Sequence, residues 1–178
     1  AEGRASHSAY PERGCSAIDA LLSALERLRG VPLPSDPLLG PTTFNIGKIA
    51  GGRAPNVIAD HASAERLVRT VGDTDALDAA IRAALTGVSE PNGAKVSIVR
   101  HSEAPPARMG TLPGFETDVV RFGTDVPRLG NWGEPFLLGP GSIHVAHTSD
   151  EWIAKAELVK AVELYRRMVI ELLARGTR

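Results

Sequence analysis

The chain has 178 residues, enough to bury a core as one large domain or two small ones, and its 43% hydrophobic and 23% charged residues are those of an ordinary globular protein. A formal net charge of -1 gives no electrostatic reason to expect nucleic acid or an anionic membrane as partner. A single cysteine, Cys15, excludes an intrachain disulfide framework and a Cys-rich zinc module and suits a reducing, cytoplasmic setting, and no apolar run nears the ~20 residues of a membrane-spanning helix. Residue 1 is Ala, and residues 1–7 read as the end of a strand entering a turn, which points to a fragment whose N-terminal portion is absent.

Pro11-Glu12-Arg13-Gly14 is a turn by composition. Ser16 then begins a helix with Ile18, Leu21, Leu22, Leu25 and Leu28 at helical spacing, and Gly30 stops it. Residues 31–41 carry four prolines and read as a loop. Thr43, Phe44, Ile46 and Ile49 are strand-like up to Gly51-Gly52, and residues 57–70 read as a second strand. Asp73 suits the N-cap of a helix with Leu77, Ile81, Ala84 and Leu85 on one face, and Val96, Ile98 and Val99 make a closing strand. The order strand, helix, strand, strand, helix, strand predicts a two-layer sandwich of helices on an antiparallel sheet over residues 1–103. From Ala104 the texture changes. Pro105-Pro106 marks a junction, residues 119–122 and 136–138 read as strands buried on both faces, and residues 157–174 form a final helix with Leu158, Val162, Tyr165, Val169 and Leu172 on one face.

Individually, the residues that could carry chemistry give weak signals. His144 and His147 sit in a Gly-rich loop with Asp150 and Glu151 just beyond. A neutral imidazole there could bind zinc with a carboxylate behind it, although spacing alone favours ordinary polar loop residues. His7 could donate a hydrogen bond to an oxyanion, or be a solvated turn residue. Asn56 and Arg69 could together read a carboxylate, or be a turn amide and a surface cation. Gly139-Pro140-Gly141-Ser142 could bring backbone amides against a ligand. Cys15 has no partner that would make it a nucleophile and reads as buried structure.

Their order along the chain is more specific. Gly3-Arg4-Ala5-Ser6-His7-Ser8 leading to Pro11, Gly14 and Ser16-Ala17-Ile18 resembles the start of the lid, or dimerisation, domain in the zinc peptidase family of acetylornithine deacetylase, succinyl-diaminopimelate desuccinylase, carboxypeptidase G and aminoacylase. Phe44 to Gly52, then Ala54-Pro55-Asn56-Val57-Ile58, is similar to the family's second lid motif. Leu138 to Ile143 with Ala146-His147 and Asp150-Glu151, preceded by Gly123-Thr124-Asp125 and Pro127, resembles the acetylornithine deacetylase branch. Ser16 stands where the family has Asn, and Ala59 where it has Pro, which puts a helix cap and a turn in question.

The resemblance implies an α/β protein: a two-layer lid over residues 1–103, its first strand truncated, then residues 104–178 as the C-terminal part of a zinc-peptidase catalytic domain. It implies that His147 matches a zinc ligand and that His7 is the lid histidine reaching into the partner subunit's site. Asn56 and Arg69 would bind substrate polar or carboxylate groups, Gly139, Gly141 and Ser142 would line the substrate, and Glu151 would support His147. Two zinc ions (cobalt remains an alternative), the other ligands and a glutamate general base would come from an upstream region. The implied reaction is metal-dependent hydrolysis of an N-acyl amino acid or peptide amide by a homodimer, the fragment alone being inactive. The rival readings are a non-catalytic dimerisation module and an inactive relative that binds amino acids through Asn56 and Arg69.

Overall fold

The computed structural model describes residues 1–88 and 93–176. The chain forms two compact units: Ala1–Pro106 with Val119–Pro127, and Ala107–Asp118 with Arg128–Arg178. The covalent chain therefore passes between them three times, the first just beyond the junction expected at 103/104.

In the first unit, helix α1 spans Ala17–Arg29. The Ser16 hydroxyl accepts the Asp19 amide at 3.1 Å, so serine caps this helix in place of the family's asparagine. Asp19 in the first turn and Arg27 and Arg29 in the last complement the helix dipole. Ala17, Ala20, Leu21, Ala24 and Leu28 recur every three or four residues and are all buried. Three of these five are alanines, so the helix backbone lies close to what it covers.

That surface is a hairpin. Strand β3 (Thr43–Gly51) pairs antiparallel with β4 (Ala62–Arg69), from Thr43↔Arg69 to Gly51↔Ala62, with a bulge between Ile46 and Lys48. Along β4 the side chains alternate: Ala62, Ala64, Arg66 and Val68 turn inward, while Ser63, Glu65, Leu67 and Arg69 are exposed. Two-residue strands β1 (Ser35–Asp36) and β2 (Gly40–Pro41) pair within the stretch expected to be loop. Glu2 makes single antiparallel bridges to His61 on one side and to Lys95 on the other. The spatial order is thus the Lys95 segment, the Glu2 segment, β4 and β3, the split pattern of a β-α-β-β-α-β unit.

Two expected strands are shorter than the sequence suggested. Residues 57–61 are not strand, because their backbone is spent on the N-terminal segment: Ile58 N donates to Ser6 O at 2.9 Å and Gly3 N to Asp60 O at 2.8 Å. Around Val96–Val99 there is only the bridge at Lys95, yet Val96 and Ile98 still pack into the core. Helix α2 (Thr74–Leu85) is capped by Asp73, whose carboxylate accepts the Asp75 and Ala76 amides, and it buries Leu77 and Ile81 against Leu28 and Val31.

The Glu2 segment approaches the α1 entry too closely for any side chain on Gly3. An added Cβ would overlap the Cys15 carbonyl oxygen and lie 2.9 Å from the Ala17 nitrogen. Gly3→Ala is expected to cost about 3 kcal/mol, the upper end of overpacking penalties. Urea unfolding with an unchanged midpoint would refute this.

The second unit is helix α3 (Lys155–Gly176) set among irregular segments. The apolar runs at 136–138 here and at 119–122 in the first unit, expected as buried strands, are not strands, since no neighbouring strand offers a ladder among the described residues. Polar anchors hold α3 instead. Tyr165 Oη donates to Leu138 O, Arg167 to Gly114 O and Arg175 to Thr111 O, each at 3.0 Å. Ala161 is the one buried residue of the helix among those described. Val159 and Val162 are 74% and 70% exposed, and Trp132 and Trp152 are exposed as well. No described helix is long and apolar enough to cross a membrane.

Candidate functional site

His7 lies in the turn after the Glu2 segment, and its backbone bridges to Val57. Ser8 N donates to Asn56 O at 3.0 Å, so the two residues expected to contact substrate are brought together by main-chain pairing. The ring is oriented as well. Its Nδ1 accepts the Ala9 amide at 3.1 Å, which in the neutral imidazole leaves the proton on Nε2. An exposed Nε2–H is a hydrogen-bond donor of the kind an oxyanion needs. Tyr10 stacks edge-on to His7 with ring centroids 6.2 Å apart, and the Arg13 guanidinium lies 5.7 Å from the Tyr10 ring centroid. Sequence reasoning passed over this aromatic and this cation; an aromatic three residues after the histidine was the available signal.

Asn56 occupies the loop joining β3 to β4. Gly52 turns the chain with φ +72°, and Val57 N donates to Ala54 O at 3.1 Å within the loop. Ala59 is buried, and its carbonyl accepts the Ala17 amide at 2.8 Å, so the turn forms with alanine in the family's proline position. Across the loop, Arg53 is ion-paired and hydrogen-bonded to Asp60. The Arg53 hydrogen bond holds the Asp60 carboxyl below the usual carboxylate range. The pair is therefore intact at neutral pH, and its contribution is lost only as pH falls through that lowered value.

Arg69 is not part of this cluster. It ends β4, seven residues beyond Ala62, and at roughly 3.3 Å per residue that places it on the order of 20 Å from the strand start. Its Nη1 donates to the Arg121 carbonyl at 3.2 Å.

In the second unit, Gly141 has φ +82°, and a Cβ there would sit 3.3 Å from Ile153 Cδ1, so the turn fits glycine. The Ser142 oxygen accepts the His144 amide at 3.2 Å, capping a short 3-10 turn at Ile143–Val145 and leaving its own proton free to donate. Gly139 has open space around it. His147 is exposed and, among the described residues, is the one non-glycine with positive φ, +62°. Its amide donates to Glu151 Oε2 at 3.1 Å, so Glu151 fixes the His147 backbone. A strained residue tied down in this way is a frequent mark of a functional position. Among the described residues no three His, Cys, Asp or Glu side chains come together as a metal cage.

Between α1 and β3 lies an open groove of ≈ 320 Å³ lined by Ile18, Leu21, Leu22, Ile49 and Ala62. It carries no ionisable side chain, and β3 has β4 on one edge and no strand on the other among the described residues.

Residues 1–92 match the family described as the peptidase dimerisation domain. A peptidase M20 domain-containing protein of Schizosaccharomyces pombe is 36% identical over 96% of the chain and 42% of its own length. A protein of Aspergillus terreus named "probable carboxypeptidase" is 40% identical over 95% of the chain and 43% of its own. The chain thus spans less than half the length of these relatives. The crystal structure of aminopeptidase PepT from Bacillus cereus aligns over 92% of the chain and 48% of its own, with TM-score 0.51 and 21% identity, a likeness of fold.

Proposed function

The chain belongs to the peptidase family whose dimerisation domain it carries, and on that premise we propose that it is the lid and C-terminal part of a metal-dependent hydrolase acting on the amide bond of an N-acyl amino acid or short peptide. The observation that carries this reading is the pairing of His7, its Nε2–H turned outward, with Asn56 at one end of the lid. Relatives named as carboxypeptidases favour a substrate with a free carboxylate beside the scissile amide. N-acetylornithine, which the sequence motifs suggested, is one such substrate.

In this reading zinc, or cobalt, supplies Lewis-acid polarisation of the scissile carbonyl when bound, and His147 is the ligand that this chain contributes. The Nε2–H of His7 donates to the oxyanion as the carbonyl becomes tetrahedral. Asn56 offers an amide to the acyl side, and the Arg69 guanidinium reads the free carboxylate in bidentate fashion. Gly139, Gly141 and Ser142 bring backbone and hydroxyl donors to the substrate, while Glu151 keeps His147 in place. The general base and the remaining ligands belong to the part of the protein outside these residues.

A homodimer reconciles the separation of His7 from Arg69. β4 starts opposite Gly51 and ends opposite Thr43. If the free edge of β3 pairs antiparallel with its twin, the Gly51 end of one protomer lies beside the Thr43 end of the other. The His7–Asn56 end then meets the partner's Arg69 end across strands spaced roughly 4.8 Å apart. The apolar groove beside β3 supplies surface that the same association buries.

The test is hydrolysis by the full-length, zinc-loaded protein of N-acetyl amino acids and of dipeptides, each against its C-terminally amidated counterpart. Cleavage that depends on the free carboxylate is the expected result. A dimer that cleaves neither class would leave only the dimerisation module, and equal cleavage of the amidated substrates would remove the role given to Arg69.

A further inference from the structure

The loop from Gly52 to His61 carries Asn56 at its tip, and three points of the N-terminal segment are fastened along it. Gly3 N donates to Asp60 O at 2.8 Å, Ile58 N to Ser6 O at 2.9 Å, and Ser8 N to Asn56 O at 3.0 Å. Asn56 can therefore stay beside His7 only while the tip of the loop stays folded back over residues 6–8. At the base, Gly52 N donates to His61 O at 3.2 Å. One step further in, the neck is crossed by the Arg53–Asp60 pair, which joins the two legs seven residues apart. Within the loop itself, the Val57–Ala54 turn at its tip is the other hydrogen bond. Freed at the neck, a segment of this size regains loop entropy, opposed by the buried Ala59 and its hydrogen bond to Ala17 on one leg and by the main-chain bonds to residues 3–8.

We infer that Arg53 and Asp60 are positioning residues: their ion pair closes the neck of the β3–β4 loop and so holds Asn56 against the His7 segment. The pair contacts no other candidate site residue, and it acts through the loop alone. The consequence for catalysis rests on the proposed roles of His7 and Asn56. The clamp itself does not.

The experiment has two arms. In the 178-residue chain, amide hydrogen exchange is measured for Arg53→Ala, for Asp60→Asn and for the charge-swapped double variant Arg53→Asp/Asp60→Arg. Exchange at Ser8 and Ile58 is expected to rise about fivefold in each single variant, the upper end for a largely exposed pair. It should return toward the parent value in the swap, while amides inside α1 and β4 stay unchanged. Unaltered exchange at Ser8 and Ile58, or a uniform rise across the whole first unit, overturns the clamp. In the full-length protein the single variants are expected to lower kcat more than they raise KM, with Arg53→Lys restoring most of the loss. If the first arm succeeds and kcat is untouched, the clamp stands and the role of the His7–Asn56 pair falls.

Discussion

Placing aspartate at both Leu22 and Ile49 is expected to turn the proposed homodimer into monomers and to lower kcat of the full-length protein by at least about a hundredfold. Leu22 is 51% exposed on α1 and Ile49 is 59% exposed on the free-edge strand β3, and both line the apolar groove. Two carboxylates there would be desolvated without a partner in any dimer that covers this surface, a penalty of several kcal/mol per protomer. Neither side chain is needed by the protomer's own core, so helix content and unfolding midpoint should scarcely move. Sedimentation velocity reads the oligomeric state, and activity on the same samples reads the consequence. Leu67→Asp is the control, because Leu67 is equally exposed but on the outward-facing side of β4, and it should leave the dimer intact. A monomer with full activity would show that the partner subunit's His7 is not required, and an intact dimer would place the interface elsewhere.

Substitution of His147 should separate stability from activity. A non-glycine residue at φ +62° carries a backbone cost of roughly 1 kcal/mol that glycine does not. His147→Gly is therefore expected to leave the chain as stable or slightly more stable, provided the amide still reaches Glu151. In the full-length protein the same change removes the proposed metal ligand, and kcat should fall by a thousandfold or more with loss of bound zinc. His147→Ala should be equally inactive without the gain in stability. Unchanged zinc content and activity in His147→Gly would strike His147 from the ligand set, and a clear drop in stability would show that the imidazole itself packs.

Helices were legible because their signals are local. Ser16 and Asp73 cap, and leucines and isoleucines at three- and four-residue steps mark the buried face, so α1 and α2 could be placed from the chain alone. The strands depended on partners. Val57 and Ile58 look like strand residues, yet their backbone is committed to the turn around His7. Residues 119–122 and 136–138 have apolar character and no ladder to join. Among the candidate functional residues, His7, Asn56 and His147 stood out through spaced motifs. The left-handed backbone at His147 has no signature in a non-glycine residue, and opposite charges seven apart, as at Arg53 and Asp60, are too common in loops to mark a clamp. The distance between His7 and Arg69 emerged only once β4 was laid out residue by residue.

The alternation of the chain between its two units bears on how the protein is made. Val119–Pro127 belongs to the first unit and Ala107–Asp118 to the second. Emerging from a ribosome, the first 106 residues could form the hairpin and both of its helices, yet Arg69 would wait for the Arg121 carbonyl until residues that already follow part of the second unit had appeared. Meanwhile residues 107–118 would wait for α3, where Arg167 and Arg175 receive them. The first unit has all of its residues once Pro127 has emerged, whereas the second has only Ala107–Asp118 by then, so the first can close around an unfinished loop that the later helix must still collect.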